Sequence, residues 1–385
     1  MNAAPALLAV ALTACTGRPQ GTPSINRDPA AVWPEVPSLD AAITARMERD
    51  RVAGLAACVG RAGELLWCGG YGLANPDTGL LATPSTPFLL ASVSKAVVGV
   101  VVQQEIERGT FALSTGVSDV LPFDVVHPDE PSAEISLRHL VTHTSGILDN
   151  WDVLDTHYVD GDSPLPLGAF LEGYLTPGGA DYDDLDNWVP DGVDAVFEYS
   201  NVGAALAAYT VEAAVGVPFD ARCEAQVFEP LGLNAGWHLA DFDPDDVAAP
   251  TLVSGGAFET LPHFGVPDYP DGQLRADARS MARLVMAVAN GGSVDGVRIL
   301  SAESAEDLTR PLVPNLEPGM ALLWYSWDLD GERVIGHNGG ETGTSTEVWF
   351  RPSDGLVVVV LMNSEGRAGT LAAVERALAE AASDL

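Results

Sequence analysis

Strand patterns stand at both ends of this chain and helical patterns fill its middle, and that order limits the folds open to it. Near the start, Leu55 to Gly60 and Leu65 to Gly70 read as two strands joined around Ala62-Gly63-Glu64. Near the end, Arg333 to His337, Thr344 to Phe350 and Leu356 to Asn363 read as three more, with Pro352-Ser353-Asp354-Gly355 turning between the last two. Helical patterns cover Leu39–Arg51, Ser92–Arg108, Asn201–Val215, Ala276–Asn290 and Thr370–Ala382. Gly109, Gly216 and Gly291-Gly292 stand where three of them should stop. Ser136 is placed to cap a short helix from Leu137 to His143. Strands from opposite ends can share a sheet only if the segment between them is set aside, so the expected class is α+β. An antiparallel sheet from residues 37–112 and 265–385, flanked by helices, would carry a mainly helical domain inserted at 113–264.

The charge balance removes several functions. With 54 acidic against 19 basic residues the net charge is −35, which repels nucleic acid and anionic membrane. Of the 19 basic residues only Lys95 is a lysine. Arg keeps its proton at any physiological pH, whereas a partly buried Lys can lose one and act as a base. A sole Lys therefore marks Lys95 as a position where Arg does not serve.

The apolar run from Met1 to Leu12 suits the core of an export signal, and Leu12-Thr13-Ala14-Cys15 resembles a bacterial lipoprotein processing box. The expectation is a signal over 1–15, a lipid on Cys15, a tether over 16–36 and a place in the cell envelope or outside the cell. No Lys or Arg precedes the apolar run, a departure from the usual signal. Of the remaining cysteines, a turn centred on Gly63 sets Cys58 opposite Cys68, within reach of a disulfide that export would permit. The alternative is two buried thiols on different faces. Cys223 is left over. No metal site or cofactor is expected: the cysteines lack Cys-x-x-Cys spacing, and the Asp181-Tyr182-Asp183-Asp184 cluster lacks EF-hand spacing.

Three short motifs carry possible chemistry. In Ser92-Val93-Ser94-Lys95, at a helix start, the Ser and Lys three residues apart share one face and can hydrogen-bond. The helix N-terminus favours negative charge on the Ser oxygen, and a neutral Lys amine can take its proton. In Tyr199-Ser200-Asn201 a Tyr near a cationic Lys can shuttle a proton, and Asn201 offers an amide to Lys95 and to a substrate carbonyl. In His337-Asn338-Gly339-Gly340, at a strand end, the glycines let a substrate backbone approach and an N–H can serve an oxyanion hole. Each motif has a plain structural reading as well: a capping Ser, a core Tyr, an Asn-Gly turn.

The three in this order resemble the penicillin-recognising serine enzymes, that is class C β-lactamases, D,D-peptidases and related esterases. Leu140-Val141-Thr142-His143-Thr144-Ser145-Gly146, Pro230-Leu231-Gly232-Leu233 and Gly336 to Gly343 add to the likeness, which runs from about Leu39 onward. The resemblance implies a β-lactamase/transpeptidase-like fold with Ser92 as nucleophile, Lys95 and Tyr199 sharing acid and base duty, and Asn201 orienting Lys95 and substrate. It further implies an oxyanion hole from the N–H groups of Ser92 and Gly340, beside Gly339. His337 stands where such β-lactamases carry Lys, and a mostly neutral His holds a substrate carboxylate poorly. The expectation is therefore an esterase or D-amino-acid peptidase acting on a small ester, peptide or β-lactam-like substrate. The alternatives are a true class C-type β-lactamase and a non-catalytic envelope binding protein of the same fold. His143 and Ser145 lack the Gly-x-Ser-x-Gly elbow of a Ser–His hydrolase.

Overall fold

The computed structural model describes residues 22–26 and 33–385. The expected signal with Cys15 lies outside the described residues, as does most of the expected tether. One antiparallel sheet organises the chain. Its strands are β1 (Ile25–Asn26), β2 (Gly54–Arg61), β3 (Glu64–Asn75), β4 (Leu80–Leu81), β5 (Tyr325–Leu329), β6 (Glu332–Glu341), β7 (Thr344–Arg351) and β8 (Leu356–Met362). They run in the order β1-β3-β2-β8-β7-β6-β5, with β4 added on β3. The late strand β8 thus lies between the N-terminal hairpin and the C-terminal strands, joining the two ends as the pattern predicted.

The sequence of β8 explains its central place. Leu356, Val358, Val360 and Met362 face one side, where α1 (Pro37–Asp50) brings Ile43 and Met47 and α6 (Thr370–Ala381) brings Val374 and Leu378. Val357, Val359 and Leu361 face the other side, toward Met281, Leu284 and Val285 of α5 (Ala278–Ala289). A strand covered on both faces needs apolar residues at every position rather than alternation. All seven are buried, at about 1.5–3 kcal/mol per fully buried aliphatic side chain.

The β2–β3 hairpin turns on two residues, Ala62 (φ 52) and Gly63 (φ 85), a left-handed pair that matches strand twist. Such a turn alone would set Cys58 across from Trp67. A bulge intervenes: Gly60 faces Leu65 but Val59 faces Trp67, so Leu66 is the extra residue. The shift brings Cys58 opposite Cys68, and the two form a disulfide with Cα atoms 4.2 Å apart. The expected pairing is present, for a different reason than a turn centred on Gly63. Cys223 is a free buried thiol.

Three boundaries differ from expectation. The helix expected from Ser92 begins at Ser94 as α2 (Ser94–Arg108), preceded by a tight turn over Ala91–Val93. The strand expected to end at His337 runs on to Glu341, so His337-Asn338-Gly339-Gly340 lies within β6 and the chain reverses at Thr342-Gly343. Pairing with β7 along one edge holds that stretch extended, which overrides the Asn-Gly turn preference. The short helix α3 (Leu137–Val141) stops before His143, whose φ of 55 cannot continue a helix. Helix α4 (Asn201–Val215) begins and ends as predicted, with Gly216 closing it at φ 68. Strand β5 at the sheet edge was not foreseen.

Candidate active site

Ser92 is presented by a strained turn. Ala91, just before it, sits at φ 48, a conformation that costs a β-carbon-bearing residue about 1–2 kcal/mol. Neighbours hold the turn in place. Leu90 N–H donates to Leu274 O at 2.8 Å, Thr346 Oγ1 donates to Leu90 O at 2.6 Å, and Leu274 N–H donates to Ser94 Oγ at 3.1 Å. Strand β6 closes on the turn at Gly339, where an added Cβ would lie 2.3 Å from Leu90 O and 3.0 Å from Ser92 N. Gly340 points the other way, into open space along a cleft.

Lys95, one turn into the chain after Ser92, is fully buried. Its ammonium donates to Ser92 Oγ (3.1 Å), Asn201 Oδ1 (2.6 Å) and the Asp271 backbone oxygen (2.7 Å), which uses all three of its N–H bonds. The Tyr199 ring centroid lies 5.0 Å from Nζ. Burial pushes Lys95 toward neutrality, but Tyr199, Asp271 and Asp149 outweigh it and raise its pKa above the usual lysine value. The resting group is therefore an ammonium, where the sequence left open whether Lys95 stands neutral or cationic.

Asn201 is held from behind. Asp149 accepts from Asn201 N–H (2.9 Å), Val202 N–H (3.1 Å) and Ser200 Oγ (3.3 Å), capping α4 from a separate segment. Ser200 Oγ in turn accepts from Gly203 N–H at 2.9 Å. Burial raises the Asp149 carboxyl pKa despite these bonds.

Two buried imidazoles flank Tyr199. His143 stacks on it at 4.3 Å between centroids, and His337 lies at 6.5 Å. His337 Nδ1 donates to Asn338 O at 2.5 Å, leaving Nε2 buried without a partner. Burial and then the Lys95 charge lower its pKa to about 3, so it is neutral at any ordinary pH. The same two causes depress His143 well below the usual range. His139 and His143 stand at His-x-x-x-His spacing, yet α3 ends between them. Each Nδ1 accepts a separate backbone N–H, from Ser136 and Ser200 respectively, at 3.1 Å.

These residues open on a cleft of about 510 Å³ lined in part by Ser92, Tyr199, Asn201 and Gly340. Five carboxylates also line it: Asp149, Glu198, Asp268, Asp271 and Glu341. No Arg or Lys is among its lining residues. Trp151 and Tyr158 bring the 149–196 segment to the cleft, and the Tyr158 hydroxyl donates to Glu341 Oε2 at 2.9 Å.

The structure thus gathers Ser92, Lys95, Tyr199, Asn201, His337, Gly339 and Gly340 at one place. Sequence reasoning missed Asp149, Asp268 and Asp271, and weighed His143 only as a partner of Ser145 rather than of Tyr199. Asp149 follows closely on Leu140 to Gly146, which was a signal. Asp271 reaches Lys95 through its backbone oxygen, for which no side-chain signal exists.

A family model described as Beta-lactamase matches residues 39–383. Penicillin-binding protein 4 of Amycolatopsis lactamdurans is 27% identical over 76% of this chain and 76% of its own length. Esterase EstB of Burkholderia gladioli is 31% identical over 55% of this chain, a match spanning 53% of the esterase. The crystal structure of a class C beta lactamase from Rhodobacter sphaeroides superposes with a TM-score of 0.67 at 20% identity, covering 90% of this chain and 99% of that one. The fold is the β-lactamase/transpeptidase-like one.

Proposed function

The chain belongs to the beta-lactamase family, and from that premise we propose that it is a serine hydrolase working through an acyl-enzyme on Ser92, with esters or D-amino-acid peptides as substrates. The observation that carries the reading is the Lys95 ammonium, held between Ser92 Oγ, Asn201 Oδ1 and the Asp271 carbonyl beside the Tyr199 ring. An ammonium with all three N–H bonds donated cannot take the Ser92 proton. The acceptor in this reading is the Tyr199 side-chain oxygen, held beside the Lys95 charge. As the Ser92 oxygen bonds to the substrate carbonyl carbon, its proton passes to Tyr199 and the carbonyl electrons move onto oxygen. The N–H groups of Ser92 and Gly340 face that oxyanion. Collapse expels the leaving group, which takes the proton from Tyr199. Water then repeats the sequence, giving its proton to Tyr199 and releasing Ser92.

The cleft argues for esters over β-lactams. A penicillin carries a carboxylate, and here a neutral His337 and five carboxylates replace the cation that would hold it. The test pairs p-nitrophenyl butyrate with nitrocefin, on wild type, Ser92→Ala and Lys95→Arg. Ester turnover lost in both variants, slow nitrocefin hydrolysis, and a Ser92 acyl adduct by mass spectrometry are expected. Equal activity in wild type and Ser92→Ala would remove Ser92 as nucleophile. Rapid nitrocefin hydrolysis would favour the β-lactamase alternative.

The lipid on Cys15 and export remain part of the proposal. The buried Cys58–Cys68 disulfide supports an oxidising compartment.

A further inference from the structure

The carboxylates of the cleft are not all spoken for. Asp149 caps α4, Glu341 accepts from Tyr158, and Asp271 lies 3.8 Å from the Lys95 ammonium. Asp268 is different. It is only 6% exposed, it lines the same cleft, and among the described residues no side chain bonds its carboxylate, which takes a hydrogen bond from its own backbone N–H. It stands at the start of the turn that also carries Asp271, whose N–H donates to Asp268 O at 3.0 Å. A buried carboxylate with no cation against it is costly, and one facing a substrate cleft has a partner to gain only from what enters.

We propose that Asp268, with Asp271 beside it, is the seat for an ammonium group carried by the substrate, so that the preferred esters or amides are cationic. The inference rests on the reading of the cleft as the active site of a serine hydrolase. Three observations bear on it. The Lys95 ammonium gives its three N–H bonds to Ser92, Asn201 and the Asp271 carbonyl, so it reaches Asp268 only through its field, which burial and the Asp271 charge outweigh. No Arg or Lys is among the residues lining the cleft, where five acidic residues stand instead. Trp151 and Tyr158 line the same cleft and offer aromatic faces of the kind organic cations favour. Burial and then the neighbouring Asp271 charge push the Asp268 carboxyl well above the usual carboxylate range. An arriving ammonium would supply the missing counter-charge and favour the ionised form. The chain's net charge of −35 draws cations toward the surface in the same sense.

The test compares the p-nitrophenyl ester of γ-trimethylammoniobutyrate with its tert-butyl carbon isostere, which has the same shape and no charge. Wild type is expected to show a kcat/KM ratio of at least about tenfold in favour of the cation. In Asp268→Asn that ratio should collapse toward one. A wild-type ratio of one or less overturns the proposal, as does an Asp268→Asn ratio equal to wild type. Calorimetric binding of benzylammonium against benzyl alcohol to the wild-type protein gives a readout independent of turnover and of the variant's folding. Tighter binding of the cation, weakened by added salt, supports the seat, and equal binding overturns it. Loss of all ester turnover with benzylammonium still preferred would sink the hydrolase reading and leave the ammonium seat standing.

Discussion

The His143 ring stacks on the Tyr199 ring, with centroids 4.3 Å apart and planes 29° from parallel. His143 is itself fixed, because its Nδ1 accepts the buried Ser200 N–H at 3.1 Å. It therefore acts as a positioning residue, setting Tyr199 from behind. Replacing it with Ala leaves the Ser200 N–H without a partner, at about 1–3 kcal/mol of stability. The same change frees the Tyr199 ring. We expect kcat to fall ~10–100-fold with a smaller change in KM, while His143→Phe keeps the stack and recovers part of kcat. Kinetics on p-nitrophenyl butyrate alongside urea unfolding checks this, and wild-type kcat in His143→Ala would show that the stack positions nothing.

The two glycines of β6 should respond oppositely to the same change. A Cβ at Gly339 would meet Leu90 O at 2.3 Å and Thr346 Oγ1 at 2.5 Å, whereas nothing lies within 4 Å of one at Gly340. Gly339→Ala must push β6 away from the Ser92 turn. A loss of about 1–3 kcal/mol is expected, with near-complete loss of ester turnover. Gly340→Ala should unfold like wild type and shift mainly KM. Thermal unfolding and ester kinetics on the two variants decide it, and equal behaviour would contradict the geometry.

Glu347 on β7 and Glu375 on α6 give stability a pH dependence. Burial raises Glu347 to about 7. Burial first and the Glu347 charge second raise Glu375 well above its ordinary 4.5. The folded pair therefore holds protons that the unfolded chain has released. Its contribution is complete below about pH 4.5 and is lost as pH rises through about 7 and beyond, by up to about 1.4 kcal/mol per pH unit for each extra proton held. Glu375→Gln removes one charge, so its stability relative to wild type should grow between about pH 5 and pH 9. Urea titrations across that range measure the difference, and a constant offset would mean the pair does not couple.

The Cys58–Cys68 disulfide spans ten residues of sequence between adjacent strands. Closing a loop of that size contributes about 2–3 kcal/mol by restricting the unfolded chain. The double variant Cys58→Ala with Cys68→Ala is expected to lose at least that much in chemical denaturation. An unchanged unfolding midpoint would mean the hairpin is held without the bond.

Much of this was legible because it rests on local rules. The helix Asn201–Val215 was bounded by a capping Ser200 and a closing Gly216, and both ends were read correctly. The continuous apolar run of β8 announced a strand, and its period-two burial on both faces followed. The site motifs were found because Ser92 and Lys95 are neighbours in the chain, and Tyr199 and Asn201 are neighbours in theirs. What escaped depends on long-range packing. The extension of β6 past His337 is set by pairing with β7, not by the preference of Asn338-Gly339. The cysteine pairing was read from a turn centred on Gly63, but a two-residue turn corrected by a bulge at Leu66 produces it. The charge state of Lys95 could not be read from one lysine in a sequence, because Asp149, Asp271 and Tyr199 set it from distant segments.

The placement of β8 also bears on how the protein is made. Cys58 of the early hairpin faces Val359 of β8 directly, so the hairpin meets its sheet partner only after the long segment between them has left the ribosome. Until then the hairpin edge and the strands awaiting it stay open, and pairing across so much intervening chain is slow to form. Closure of the sheet around Cys58 and Cys68 is therefore a late event in the folding of the chain.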